Sequence, residues 1–203
     1  HASGREEYAF GLVVDMQLDM DVEKRKGAGQ LFKTNLEKSL FSSPAACIKT
    51  IDERLHKLKK KYSQEEIKDI SLLEELKDAL EQITPKDFSR YQQLLRLLSD
   101  KNYAWDHEAT DDRVVIFTER IETMKYLASH LCEDLGLPTN AVQEISGGMS
   151  DVEQQKIVED FGRTESPIRV LVASDVASEG LNLHYLSHRL IHFDIPWSLM
   201  VFQ

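Results

Sequence analysis

A chain of 203 residues, 41% hydrophobic and 30% charged, has the composition of an ordinary globular protein with room for one sizeable core or two small ones. A formal net charge of −10 and a pI near 5.2 argue against strong autonomous binding of nucleic acid, because neutralising phosphates takes clustered Lys and Arg. The apolar runs are too short to span a bilayer, no secretory signal opens the chain, and Cys47 and Cys132 lie far apart without CxxC or Cys/His spacing, so both read as reduced core thiols of an intracellular protein.

The opening His1-Ala-Ser-Gly4 is set aside as an expression remnant. From Val14 to Met20 apolar residues alternate with Asp15, Gln17 and Asp19, the period of a half-exposed strand. Gly27 and Gly29 among charges mark a flexible link into a helix carrying Leu31, Phe32, Leu36, Leu40 and Phe41. At Ser42-Ser43-Pro44 a helix restarts, since serine caps free amides and proline fits the first helical position. Its stripe of Ile48, Ile51, Leu55, Leu58 and Tyr62 leaves Lys49, Arg54, Lys57, Lys59, Lys60 and Lys61 on the opposite face. A solvated face is the plainer reading of that basic patch and a phosphate-contacting face the sharper one.

The next segment inverts the charge. Ser63 and Glu66 have capping-box spacing, Ile67, Ile70, Leu73, Leu76, Leu80 and Ile83 form an apolar stripe, and Pro85 ends it. Basic then acidic helices across a short turn predict an antiparallel hairpin whose faces attract. A further helix holds Phe88, Tyr91, Leu94, Leu95 and Leu98, and residues 100–112 read as an acidic surface loop.

Beyond Asp112 the pattern becomes strand, helix, strand, helix, strand. Arg113 to Phe117 is a buried strand, followed by a helix on Ile121, Met124, Ala128, Leu131 and Leu135 that Gly136 and Pro138 stop. Ala141 to Ile145 is the second strand, and Ser146-Gly-Gly-Met-Ser150 turns into a helix through Ile157, Val158 and Phe161, with Ser150 and Glu153 spaced as a capping box. Arg169 to Ala173 and Arg189 to Phe193 are the third and fourth strands. Such alternation demands right-handed crossovers and a parallel sheet covered on both sides. The fold class expected is therefore α/β: a three-layer α/β/α lobe over 87–203, preceded by a mainly helical extension over 5–86.

In parallel sheets binding groups gather outside the strand carboxyl ends. Three turns leave that edge: Phe117-Thr-Glu-Arg120, Ile145-Ser-Gly-Gly-Met-Ser150, and the segment from Ala173 through Ser174, Asp175, Ser178, Glu179 and Gly180 to Asn182. Each offers a hydroxyl or glycine amides near a helix start, where free N–H groups and the positive dipole end favour phosphate oxygens, so a groove for a phosphodiester backbone is the expected site. The plainer alternative is that Gly147-Gly148 only turns the chain and Ser150 only caps. The sequence has no GxxxxGK[ST] phosphate loop, GxSxG elbow or HExxH, and His188 and His192 lack a third ligand, so no metal site is expected.

Val114-Val-Ile-Phe-Thr-Glu119, Ile145-Ser-Gly-Gly-Met-Ser-Asp151, Val170-Leu-Val-Ala-Ser-Asp-Val-Ala-Ser-Glu-Gly-Leu-Asn-Leu183 and Leu190-Ile-His-Phe-Asp-Ile-Pro-Trp197 resemble, in order and spacing, the second RecA-like lobe of superfamily 2 helicases. The Ala-Ser-Glu-Gly-Leu-Asn-Leu form, with Leu40-Phe-Ser-Ser-Pro-Ala-Ala46 before it, is most similar to the bacterial Swi/Snf-type ATPases of the RNA-polymerase-associated kind. The resemblance implies that Thr118, Gly147, Gly148 and Ser150 meet a nucleic-acid backbone, that Ser174 and Asn182 couple the bound strand to the nucleotide, and that Glu179 and Gly180 face ATP when two lobes close. It implies ATP and Mg2+ held mainly by a first lobe, and DNA rather than RNA as the track. It also implies a cytoplasmic, nucleoid-associated protein. Relatives continue into a Gln-Arg-x-Gly-Arg motif that this chain stops short of, so it is expected to be a motor fragment without catalytic residues of its own, inactive in isolation. Two rivals stand beside this reading: an interaction module docking a partner protein through helices 44–84, and a small-molecule α/β enzyme, for which no nucleophile-base pair is present.

Overall fold

Ser3 opens the first helix, α1 (Gly4–Asp15), with a complete capping box: its hydroxyl accepts from the Glu6 amide while the Glu6 carboxylate accepts from the Ser3 amide. The segment set aside as a remnant is thus part of the fold. The computed structural model describes residues 1–18, 28–62, 68–174 and 189–194, and the chain divides into two units, His1–Gln92 and Gln93–Gln203.

In the first unit α1 is followed by α2 (Ala28–Ser42), α3 (Pro44–Lys61) and α4 (Lys68–Glu81). The strand expected from Val14 is not formed, since Val14 and Asp15 close α1. Ala9 and Val13, four apart, are fully buried and Met16 nearly so, and this helical spacing outweighs the alternation. Residues 19 and 20 lie outside those described. Ser43 caps α3 by accepting from the Ala46 amide, with Pro44 in the first turn as expected. The hairpin of α3 and α4 is antiparallel and its opposite charges meet: Lys59 reaches Glu74 at 2.7 Å and Lys77 reaches Asp52 at 2.7 Å, so residue numbers rise on one helix as they fall on the other. The hydrogen bond to Asp52 holds the Lys77 ammonium above its usual range. The capping box expected at Ser63 and Glu66 lies outside the described residues.

Helix α5 (Ser89–Leu98) leads to the second unit. There β1 (Val114–Thr118), α6 (Ile121–Asp134), β2 (Val142–Ile145), α7 (Asp151–Gly162), β3 (Val170–Ser174) and β4 (Arg189–His192) build a four-stranded sheet in the order β2-β3-β1-β4. All pairings are parallel. From β1 to β2 the chain moves two places one way across the sheet, and from β2 to β3 one place back. Right-handed crossovers therefore put α6 and α7 on opposite faces. Side-chain alternation agrees: Val115, Leu171, Ala173 and Ile145 form one core with Phe161, Ile157 and Val158 of α7, leaving Ile116, Val170 and Val172, all fully buried, for the α6 face.

Helix α6 stops where Gly136 takes φ +66°, a left-handed conformation suited to glycine, with the Leu137 amide bonded to the Cys132 carbonyl and the Gly136 amide to that of Glu133. Cys47 is buried as expected, but Cys132 is partly exposed at this helix end, its thiol directed to the Pro138 and Thr139 carbonyls. The acidic loop over 100–112 is anchored rather than merely solvated. Trp105 donates its indole N–H to the Asp112 carbonyl, and Arg189 of β4 grips the Asp112 carboxylate at 2.5 and 3.0 Å. No helix among the described residues is long and apolar enough to cross a membrane.

Candidate nucleic-acid interface

The two central strands, β1 and β3, end level with each other: Thr118 and Ser174 are register partners. Parallel strands put all four carboxyl ends on one edge, so the turns after β1 and β2 and the departure from β3 converge as the sequence implied. Position is shared, but bonding is not.

Thr118 is buried, and its hydroxyl donates to the Asp194 carboxylate at 2.9 Å while the Glu119 amide donates to the other oxygen of that carboxylate at 2.8 Å. Asp194, just past β4 and itself buried, thereby ties the end of β4 to the β1–α6 turn. The Phe193 amide adds a bond to the Phe117 carbonyl at 2.8 Å, and the Phe117 and His192 rings stack 5.4 Å apart. The Thr118 proton is therefore committed inside the protein. Ser174 is also buried, 2% exposed, yet its hydroxyl has no hydrogen-bond partner among the described residues. An orphaned buried hydroxyl costs about 1–3 kcal/mol.

The turn after β2 is built differently. Ser146 is buried, and its carbonyl receives both the Met149 amide and the Gln154 side-chain N–H, each at 3.1 Å. Gln154 also donates to the Met149 carbonyl at 3.1 Å, so one amide side chain pins the turn that exposes Gly147 and Gly148. At Gly148 the backbone has no left-handed φ, and an added Cβ would meet only the Ser146 hydroxyl at an ordinary 3.9 Å. Neither turn geometry nor internal packing demands glycine at that position.

Ser150 caps α7, accepting from the Glu153 amide and donating its hydroxyl to the Glu153 carboxylate at 2.7 Å, while its own amide reaches that carboxylate at 2.9 Å. These bonds, the hydroxyl's first, hold the Glu153 carboxyl below its usual range. A depressed folded-state value contributes stability above the unfolded value, about 4.3, that is lost as pH falls through the folded one. Ser150→Ala is accordingly expected to lower the thermal unfolding midpoint at neutral pH, with a gap to the native chain that narrows towards about pH 3.

Charge at this edge is modest. Among the described residues of the turns and strand ends, Arg120 is the one Lys or Arg, and it occupies the N-cap of α6 without a side-chain capping bond. Glu122 already sits in the first turn of α6, and Asp151 and Glu153 in that of α7, where they answer the helix dipoles. The hydroxyl protons of Thr118 and Ser150 are spent inside the protein, and Ser174 is buried. Among the described residues no group of three or more His, Cys, Asp or Glu could hold a metal ion. Asp175, Ser178, Glu179, Gly180 and Asn182 lie outside the described residues. Asp194 and Gln154 are the contributors that sequence reasoning missed.

Residues 89–203 match the helicase conserved C-terminal domain family. The human probable ATP-dependent RNA helicase DDX43 is 30% identical over 107 residues, which are 49% of this chain and 15% of that protein. The RNA polymerase-associated protein RapA of Vibrio campbellii is 31% identical over 91 residues, 45% of this chain and 9% of that protein. The ATP-dependent RNA helicase RhlB of Pseudomonas syringae is 32% identical over 107 residues, 53% of this chain and 23% of that protein. This chain thus spans less than a quarter of each of these relatives. The C-terminal part of the Fun30 ATPase domain shares its fold, with a TM-score of 0.52 over 97% of this chain and 72% of that one at 14% identity. The family match covers more than half of the chain, and the chain belongs to the helicase conserved C-terminal domain family.

Proposed function

We propose that this helicase C-terminal domain is the second RecA-like lobe of an ATP-dependent translocase of the bacterial Swi/Snf type. In this reading it grips the backbone of duplex DNA in the cytoplasm and forms one wall of an inter-lobe ATP cleft. The observation that carries the reading is the convergence of β1, β2 and β3 on one edge, where the exposed Gly148 has no internal reason to be glycine and the buried Ser174 hydroxyl has no partner among the described residues. Glycine at an unconstrained exposed turn lets another molecule's backbone approach closely. The orphaned Ser174 hydroxyl is a group whose bonding changes when the adjoining segment, with Glu179, Gly180 and Asn182, engages strand and nucleotide.

ATP and Mg2+ fall to a partner lobe in this account. The chain has no phosphate-loop motif and the described residues no acidic cluster for a metal, so no hydrolytic step is assigned to them. We place the helical extension before residue 87 and the lobe from there on. The rival role for helices 44–84, docking a partner by charge, is weakened because Lys59, Lys77, Asp52 and Glu74 pair with one another inside the hairpin.

The test is ATP turnover by the intact protein, titrated with duplex DNA or single-stranded RNA, in native and Gly148→Asp forms. Duplex DNA is expected to stimulate more strongly. The added carboxylate should raise the DNA concentration for half-maximal stimulation at least about tenfold without lowering the unfolding midpoint. Unchanged half-saturation would remove the glycine turn from the interface, and stronger stimulation by RNA would reassign the track.

A further inference from the structure

We propose that Gln154 is a positioning residue for the strand contact, acting through the turn over 146–149 and not by touching the strand itself; the inference rests on the function proposed above. The Met149 amide donates to the Ser146 carbonyl at 3.1 Å, which closes a four-residue β-turn with Gly147 and Gly148, both exposed, at its two central positions. The Gln154 side chain donates to the carbonyls at the two ends of that turn, Ser146 and Met149, at 3.1 Å each. A side-chain amide carries two N–H donors, and here both go to one turn.

The other end of the clamp is fixed to the core. The Gln154 backbone amide donates to the Ser150 carbonyl at 3.0 Å in the first turn of α7. Gln154 stands three, four and seven residues before Ile157, Val158 and Phe161, so it shares the helix face that packs on the sheet. The position of the glycine tip is thereby referred to the core of the lobe. Glycine loses more conformational freedom on ordering than any other residue, so a Gly-Gly tip left to itself is the most costly kind to fix against a ligand. Two bonds to the ends of the turn meet that cost during folding, before a strand arrives. A site ordered in advance binds more tightly because less freedom is lost on association.

The test is made on the intact protein, comparing native, Gln154→Met, Gly148→Asp and the double variant for ATP turnover titrated with duplex DNA. Methionine is unbranched and of similar length, and it removes both donors. Gln154→Met is expected to raise the DNA concentration for half-maximal stimulation about fivefold, with maximal stimulated turnover kept within about twofold of native. Hydrogen–deuterium exchange, read by mass spectrometry, should quicken over 146–149 and stay unchanged over 170–174, which separates a loosened turn from a misfolded chain. The double variant should be no weaker for DNA than Gly148→Asp alone, because both act through one turn. Unchanged half-saturation or unchanged exchange in Gln154→Met, with Gly148→Asp still weakening DNA, overturns the role of Gln154 and leaves the proposed function standing. No effect of either variant on half-saturation removes the turn from the interface and takes the proposed contact down with it. Effects that multiply in the double variant, to about fiftyfold, would show Gln154 touching the strand independently and contradict a positioning role. A fall in maximal turnover at unchanged half-saturation would make Gln154 structural only.

Discussion

Replacing Asp194 with alanine is expected to lower the stability of the chain by about 3 kcal/mol, measured by urea unfolding. The carboxylate is buried and accepts from the Thr118 hydroxyl and the Glu119 amide. Hydrogen bonds to a charged acceptor are worth about 1.5–3 kcal/mol each, and their loss leaves a buried hydroxyl unsatisfied as well. Asp194→Asn should cost less, because the amide keeps one acceptor. Thr118→Val should cost only about 1 kcal/mol, since the Glu119 bond survives it. The double variant should then cost less than the sum of the two single ones, because both remove the same bond. An Asp194→Ala chain within about 0.5 kcal/mol of native would show that the tie between β4 and β1 contributes nothing. The result also bears on how Thr118 works: a hydroxyl whose proton is spent on Asp194 serves to shape the turn before α6.

The four strands were legible because each is a short apolar run bounded by turn residues, and the structure places them at Val114–Thr118, Val142–Ile145, Val170–Ser174 and Arg189–His192, within a residue of the expected bounds. The charge inversion between α3 and α4 was legible for the same reason: pattern within one element, or between neighbours, survives in the sequence. The α1 helix was missed because the alternation after Val14 was weighed without Ala9 and Val13, whose spacing buries one helical face. Strand order was not legible, since right-handed crossovers constrain connections but do not choose among orders. Asp194 was read as the end of a strand. Its partner Thr118 lies 76 residues away, and no local pattern announces a bond at that distance. Gln154 looked like any polar residue on a helix surface, and only the folded turn shows that it pins Ser146 and Met149. Glu179, Gly180 and Asn182 carry the strongest part of the resemblance and lie outside the described residues, so their roles rest on the proposal.

Ser174 separates a structural account of the edge from a functional one. A serine retained for stability should bond to something, and its register partner Thr118 does so. Ser174 is equally buried, and among the described residues its hydroxyl has no partner that would offset its burial. Proteins carry such costs where a group is used in another state, and removing it then raises stability while function falls. Ser174→Ala takes away one oxygen and leaves the strand backbone and its pairing in place. The decisive measurement is made on the intact protein, comparing native and Ser174→Ala forms for urea unfolding and for ATP turnover with and without saturating duplex DNA. The account predicts stability unchanged or raised by about 1 kcal/mol, basal turnover preserved, and DNA stimulation reduced at least about tenfold. A destabilised variant with full DNA stimulation would contradict it.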